Sequence, residues 1–123
     1  MRQLKSLEAW KVATDISRRA YRLTLDSRLR RQYGLIDQLR RAAASIPANI
    51  AEGYALGTTA QLIRALRISL GSSAELRSHL ELLKSVELVE GEQVDRLERD
   101  VDRLIGLLVG LLKKLGARTP RPS

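Results

Sequence analysis

The chain has no cysteine and no phenylalanine, a single histidine, one tryptophan and three tyrosines. Without cysteine, disulfides and thiolate-held metals are excluded, and a reducing, cytoplasmic setting is the expectation. The aromatics Trp10, Tyr21, Tyr33 and Tyr54 are too few to promise a base-stacking platform. His79 has Glu75 one turn before it, but carboxylate-histidine metal sites in helical bundles draw ligands from four helices, so no metal or other cofactor is expected. Ser72, Glu75 and His79 include the residue types of a hydrolytic triad. On successive turns of one helix they offer neither a strained nucleophile nor oxyanion donors, so no enzyme is expected. Long apolar runs are also scarce: "LIGLLVGLL" at 104–112 is about half a membrane span, and "MRQLKSLEAW" has no signal-peptide core. A protein that is neither exported nor membrane-bound is expected. There is no glycine-rich phosphate loop, zinc finger or helix-turn-helix signature.

What is present is helical periodicity. The 123 residues suit one domain, and four amphipathic segments fill it without sustained strand alternation. The first spans about 6–27, with Ser6 as N-cap and Ala9, Val12, Ala13, Ile16, Ala20 and Leu23 on one stripe. The second, about 33–56, places Leu35, Leu39, Ala43, Ile46 and Ile50 together and ends at Gly57, a natural C-terminal cap. The third, about 59–87, opens on "TTAQ", a capping box, and continues through Leu62, Leu66, Leu70, Ala74, Leu80 and Leu83. The fourth, about 91–115, repeats Val94, Leu97, Val101, Leu104, Leu108, Leu111 and Leu115, with Glu92–Arg96 and Asp95–Arg99 one turn apart on the wet side. Such lengths and short loops predict an all-α, antiparallel up-down-up-down four-helix bundle over residues 1–116, with a disordered tail at 117–123. Gly106 and Gly110 read as a point of tight packing within the bundle or between subunits.

The charge of +8 is unevenly distributed. Residues 1–41 carry eleven Lys/Arg against four Asp/Glu, a balance of +7, whereas 42–91 come to −1 and 92–123 to +2. Such a basic third attracts polyanions through counterion release and steering, and its alternative is a solvated face. Lys11, Arg18 and Arg22 share a helix face, with Arg19 beside them; Arg28, Arg30 and Arg31 continue from the end of that helix, and Arg40 follows on the next.

The stretch "RRAAASIPANIAEGYA" at 40–55 sets Pro47 within a helical pattern. It removes a donor and presses on the carbonyl of Ala43, which predicts a kink costing roughly 3 kcal/mol unless close packing on Ala42, Ala43, Ala44 and Ala48 offsets it. Gln38, Arg41, Ser45, Asn49 and Glu52 line one side of the same helix. An antiparallel hairpin about Gly57 would set Arg41 against Glu75 and Glu52 against Arg64, giving two partly buried ion pairs in a structural network.

"QLRRAAASIPANIAEGYA" at 38–55, with "LEAWKVA" at 7–13 and "GSSAEL" at 71–76, resembles the four-helix-bundle proteins encoded in 23S ribosomal RNA intervening sequences. That family includes the accessory variability proteins of diversity-generating retroelements. The resemblance spans about residues 4–88. It implies a non-enzymatic bundle that forms a ring-shaped homopentamer and binds nucleic acid, RNA or DNA, through basic surfaces, in some cases beside a reverse transcriptase. Between helices one and two the family commonly shows a proline and an acidic residue, where this chain has "SRLRRQYG"; after "EGY" the usual basic residue is missing. Both departures move the expected basic surface to the loop between helices one and two. The nucleic-acid-binding set is therefore Lys11, Arg18, Arg19, Arg22, Arg28, Arg30, Arg31 and Arg40. The alternative function is a ring-forming scaffold whose arginines recruit an acidic protein.

Overall fold

The computed structural model describes residues 7–117, so Ser6 and positions 118–123 of the expected tail lie outside the described residues. Four helices make up the fold: α1 (Glu8–Leu23), α2 (Tyr33–Leu56), α3 (Thr59–Ser85) and α4 (Gly91–Lys114), with one 3-10 turn at Ser27–Leu29 between α1 and α2. No strand occurs among the described residues. Each helix packs on its neighbours in the cyclic order α1, α2, α3, α4 and back to α1. Cross-helix contacts run in opposite directions along the chain, Ile46 with Ser69 and Ser45 with Ser72 between α2 and α3, and Lys84 with Asp95 and Arg77 with Asp102 between α3 and α4. The bundle is all-α and antiparallel.

Its axis is filled by the periodic residues. Ile16, Leu39, Ile46, Ile50, Leu66, Leu76, Leu80, Leu83 and Leu104 are fully buried, each contributing about 1.5–3 kcal/mol relative to an exposed side chain. In α3, however, Ser69 and Ser73 occupy buried positions and Ala74 is exposed, not buried as its spacing suggests. Hydrogen bonding explains the exchange: the Ser69 hydroxyl donates to the Ile46 carbonyl at 2.8 Å and Ser73 to the Ser69 carbonyl at 2.8 Å, so neither carries an unmet polar group into the core. Small residues let α2 and α3 approach closely. A Cβ built on Gly53 would lie 2.7 Å from the Ala65 Cβ, and α2 is one continuous helix through Pro47. Gly106 and Gly110 make no such approach, since nothing lies within 4 Å of a Cβ built on either. The tight seam within the bundle is at Gly53.

Helix ends follow local chemistry. α1 stops at Leu23, short of Ser27, where Thr24 turns inward and its hydroxyl donates to the Tyr21 carbonyl at 2.6 Å. Asp26 then starts the 3-10 turn by accepting the Arg28 N–H at 2.9 Å, and Leu29 at its end is 0 % exposed. That leucine anchors the loop to the core. α2 ends on Gly57 at φ 87°, and Thr58 caps α3 by accepting the Gln61 N–H at 3.2 Å. α4 closes with Gly116 at φ 78°, its N–H bonded to the Lys113 carbonyl at 3.0 Å while Ala117 N–H reaches Leu112 at 2.9 Å. This paired arrangement is a Schellman ending, and Ala117 packs against the core instead of belonging to a loose tail.

Candidate nucleic-acid interface

The basic residues of α1, the following loop and the start of α2 separate by their partners. Arg18 and Arg19 both hold Asp15, Arg19 at 3.2 Å, and Arg19 also reaches Asp100 on α4. The Arg18 guanidinium, with Arg19 behind it, keeps the Asp15 carboxyl below its ordinary pKa. Arg28 is clasped by Asp26 through Nε at 3.0 Å and Nη2 at 2.8 Å, a bidentate pair that, with the backbone N–H, brings the Asp26 pKa down to about 2. Arg40 lies over the Tyr21 ring, 4.2 Å from its centroid, and its Nε donates to Thr24 Oγ1 at 2.8 Å. Lys11, Arg22, Arg30 and Arg31 are exposed and have no acidic partner among the described residues.

Three of these arginines converge. Arg18, Arg19 and Arg22 line a recess of about 200 Å³ with Leu23 of α1 and Gln93 and Leu97 of α4. Arg96 joins Arg19 and Gln93 in the adjoining hollow, where Glu90 contributes an acid. Gln93 and Arg96 were not among the expected site residues because α1 and α4 are separated by two helices, and only their antiparallel register brings residue 22 near residue 93. Lys11 sits two turns back along α1 from Arg18 and does not line the recess.

Basic residues on the α3–α4 seam are in the opposite condition. Glu98 is buried, its side chain 4 % exposed, and receives both Arg77 and Lys84, the latter at 2.8 Å. Arg77 continues to Glu81 and Asp102, each at 3.1 Å, and Lys84 to Asp95 at 3.0 Å. Burial lifts the Glu98 carboxyl above its ordinary pKa, against the pull of Lys84 and Arg77. The expected Asp95–Arg99 pair does not form, because Lys84 reaches Asp95 from the neighbouring helix.

The polar stripe of α2 resolves into separate groups. Asn49 Nδ2 donates to the Ser45 carbonyl at 2.8 Å and to its Oγ at 2.9 Å, and Ser72 Oγ lies 2.9 Å from Ser45 Oγ. Gln38 stays outside this cluster, and Arg41 does not meet Glu75. Its side chain is 79 % exposed and pairs with Asp37 at 2.9 Å, a partner one turn away on its own helix, while Glu75 faces His79 at 3.3 Å. Glu52 and Arg64 line one small recess with Asn49 but form no ion pair. The hairpin register is close to that expected; the long side chains at its rim choose local partners or water. Among the described residues no cluster of His, Asp and Glu could hold a metal ion, no buried side-chain polar atom lacks a partner, and no helix is long and apolar enough to cross a membrane.

No curated protein matches the chain. Among solved structures, a protein of unknown function from the S23 ribosomal protein family of Bacteroides thetaiotaomicron VPI-5482 matches with a TM-score of 0.78 at 25% identity. The match covers 85% of this chain and 98% of that one. The family model of the 23S rRNA-intervening sequence protein matches residues 5–110, from the start of α1 almost to the end of α4, and the chain belongs to that family.

Proposed function

We propose that this protein is a non-enzymatic, oligomeric nucleic-acid-binding protein that grips structured RNA or an RNA–DNA duplex through the corner formed by α1, the α1–α2 loop and the start of α2. The observation that carries this reading is the set of exposed arginines at that corner, Arg22, Arg30 and Arg31, which no carboxylate among the described residues neutralises. Cations without internal partners are the ones that release counterions when they meet phosphate. The recess of Arg18, Arg19 and Arg22 adds a concave site beside them. Lys11 extends the same charge along α1.

Self-association is part of the proposal. The outer side of the α2–α3 hairpin exposes Ala44, Ala48, Ala55, Gly71 and Ala74 together with Leu56 and Ile68, small and apolar residues that suit close contact between copies. The ring of five subunits, and service beside a retroelement reverse transcriptase, follow from the family resemblance.

Fluorescence anisotropy with labelled structured RNA, matched DNA duplex and heparin, over a salt series, tests the binding. A linear log-log salt slope of several charges, with a preference that heparin does not abolish, is the expected result. Weak binding that heparin equals would refute it and favour an acidic protein as the partner. Light scattering on the eluting protein tests the pentamer, and a monomeric mass would end that part.

A further inference from the structure

Two tyrosines stand in the open at the same corner. Tyr33 is 76 % exposed and Tyr21 51 % exposed, and neither packs against the core, whereas Trp10 and Tyr54 both do. Rings this exposed add little to the core. They are also the residue type that nucleobases stack upon.

The surroundings of these rings are ordered. Arg40 covers the Tyr21 ring at 4.2 Å, and Thr24 holds the guanidinium there, accepting from Arg40 Nε at 2.8 Å while its hydroxyl donates to the Tyr21 backbone carbonyl at 2.6 Å. Tyr33 lies seven residues before Arg40, so both sit on one side of α2 about 10 Å apart along its axis. Arg30 and Arg31, exposed and without acidic partners among the described residues, lie three and two residues before Tyr33, and Arg22 directly follows Tyr21. The corner thus alternates aromatic and cationic side chains, the pattern of a surface that tracks a single strand.

We infer that this corner binds unpaired nucleobases: Tyr33 and the Arg40-backed Tyr21 each stack a base, while Arg30, Arg31 and Arg22 take the flanking phosphates. The inference rests on the nucleic-acid reading above and narrows it. In a duplex the base faces are hidden in the helix stack, so only an unpaired segment, such as a hairpin loop or a displaced strand, can offer them to tyrosine. The aromatics are few, but placement matters more than number: the two exposed rings are both beside free arginines.

The test uses anisotropy with four labelled probes: an RNA hairpin carrying an unpaired loop, an unstructured RNA strand, its DNA counterpart and a blunt RNA duplex. The variants are Tyr21→Ala/Tyr33→Ala and Tyr21→Phe/Tyr33→Phe, with the helical circular dichroism of each compared with wild type. Expected is a loss of about tenfold or more for the alanine variant on the looped hairpin and single strands, with the salt slope unchanged, duplex binding unchanged and the phenylalanine variant restored. Equal affinity of the two single strands assigns the site to stacked bases in general, and an RNA preference adds the 2′-hydroxyl to what is read; both support the inference. Duplex binding that matches single-strand binding, or an alanine variant indistinguishable from wild type, overturns the stacking inference while leaving the nucleic-acid reading in place. Failure of the wild-type protein to bind any of the four probes overturns both.

Discussion

Arg77 and Lys84 on α3 and Arg30 and Arg31 at the α1–α2 corner are the same chemistry in opposite circumstances. The first pair closes on a buried Glu98, with Asp95, Glu81 and Asp102 around it. Its charge is spent inside the molecule, joining α3 to α4. The second pair meets no carboxylate among the described residues and faces water. Counting lysines and arginines along the chain does not separate these two regions; counting their partners does. A net charge becomes a statement about binding only after the cations that hold the fold together are set aside.

Substitutions that exchange the roles of the two regions test this distinction. The largest effect is expected at the seam. Arg77→Ala/Lys84→Ala should destabilise the bundle by about 3 kcal/mol, the low end for a broken buried pair, because it leaves the buried Glu98 carboxylate without either cation. Thermal unfolding should register a drop of roughly 10 °C. A wild-type melting temperature would mean the seam is as idle as a surface pair. Next comes Arg30→Gln/Arg31→Gln, which should leave the melting temperature unchanged. It should weaken RNA binding roughly 30-fold at physiological salt and reduce the salt slope by about two. Loss of helicity in this variant would place these arginines with the structural set.

Arg28→Gln provides the intermediate case. Its guanidinium already has Asp26 as partner, so affinity should fall only a few-fold, less than for either neighbour alone. Titration by NMR should show the smallest and most local effect. Asp26 should protonate near pH 2, against an ordinary 3.8. Since its folded pKa is depressed, the contribution of the clasp to stability is complete above the ordinary carboxylate value and disappears as pH falls toward about 2. In Arg28→Gln the Asp26 value should return upward, and an unchanged value would show that the backbone N–H alone sets it.

The fold was legible because helix periodicity is a property of each segment by itself. Ile16, Leu39, Ile46, Ile50, Leu66, Leu80 and Leu104 fall on their stripes and in the core. What escaped depends on which helix lies opposite. Ser69 and Ser73 look like surface residues until α2 approaches closely enough to give Ser69 a carbonyl. Glu98 was not singled out, because its partners Arg77 and Lys84 come from the neighbouring helix. At the candidate interface the run Arg28, Arg30, Arg31 was visible as a charge cluster, but the division within it was not, since Asp26 could as well have capped a helix as clasped an arginine. Of the two readings of Gly106 and Gly110, close packing within the bundle is not what they do, since nothing lies within 4 Å of a Cβ built on either. A small-residue motif marks permission for close approach, and in the monomer Gly53 is the glycine that uses it.

Leu29, fully buried at the end of the 3-10 turn, bears on association as well as on folding. Together with the Asp26–Arg28 clasp it holds the backbone of Arg30 and Arg31 in place before any ligand arrives. A loop that must be ordered on binding spends part of its interaction energy on lost conformational entropy; here that loss has already occurred during folding. Loosening the anchor should therefore show itself chiefly as faster dissociation of the complex, even with every arginine still present.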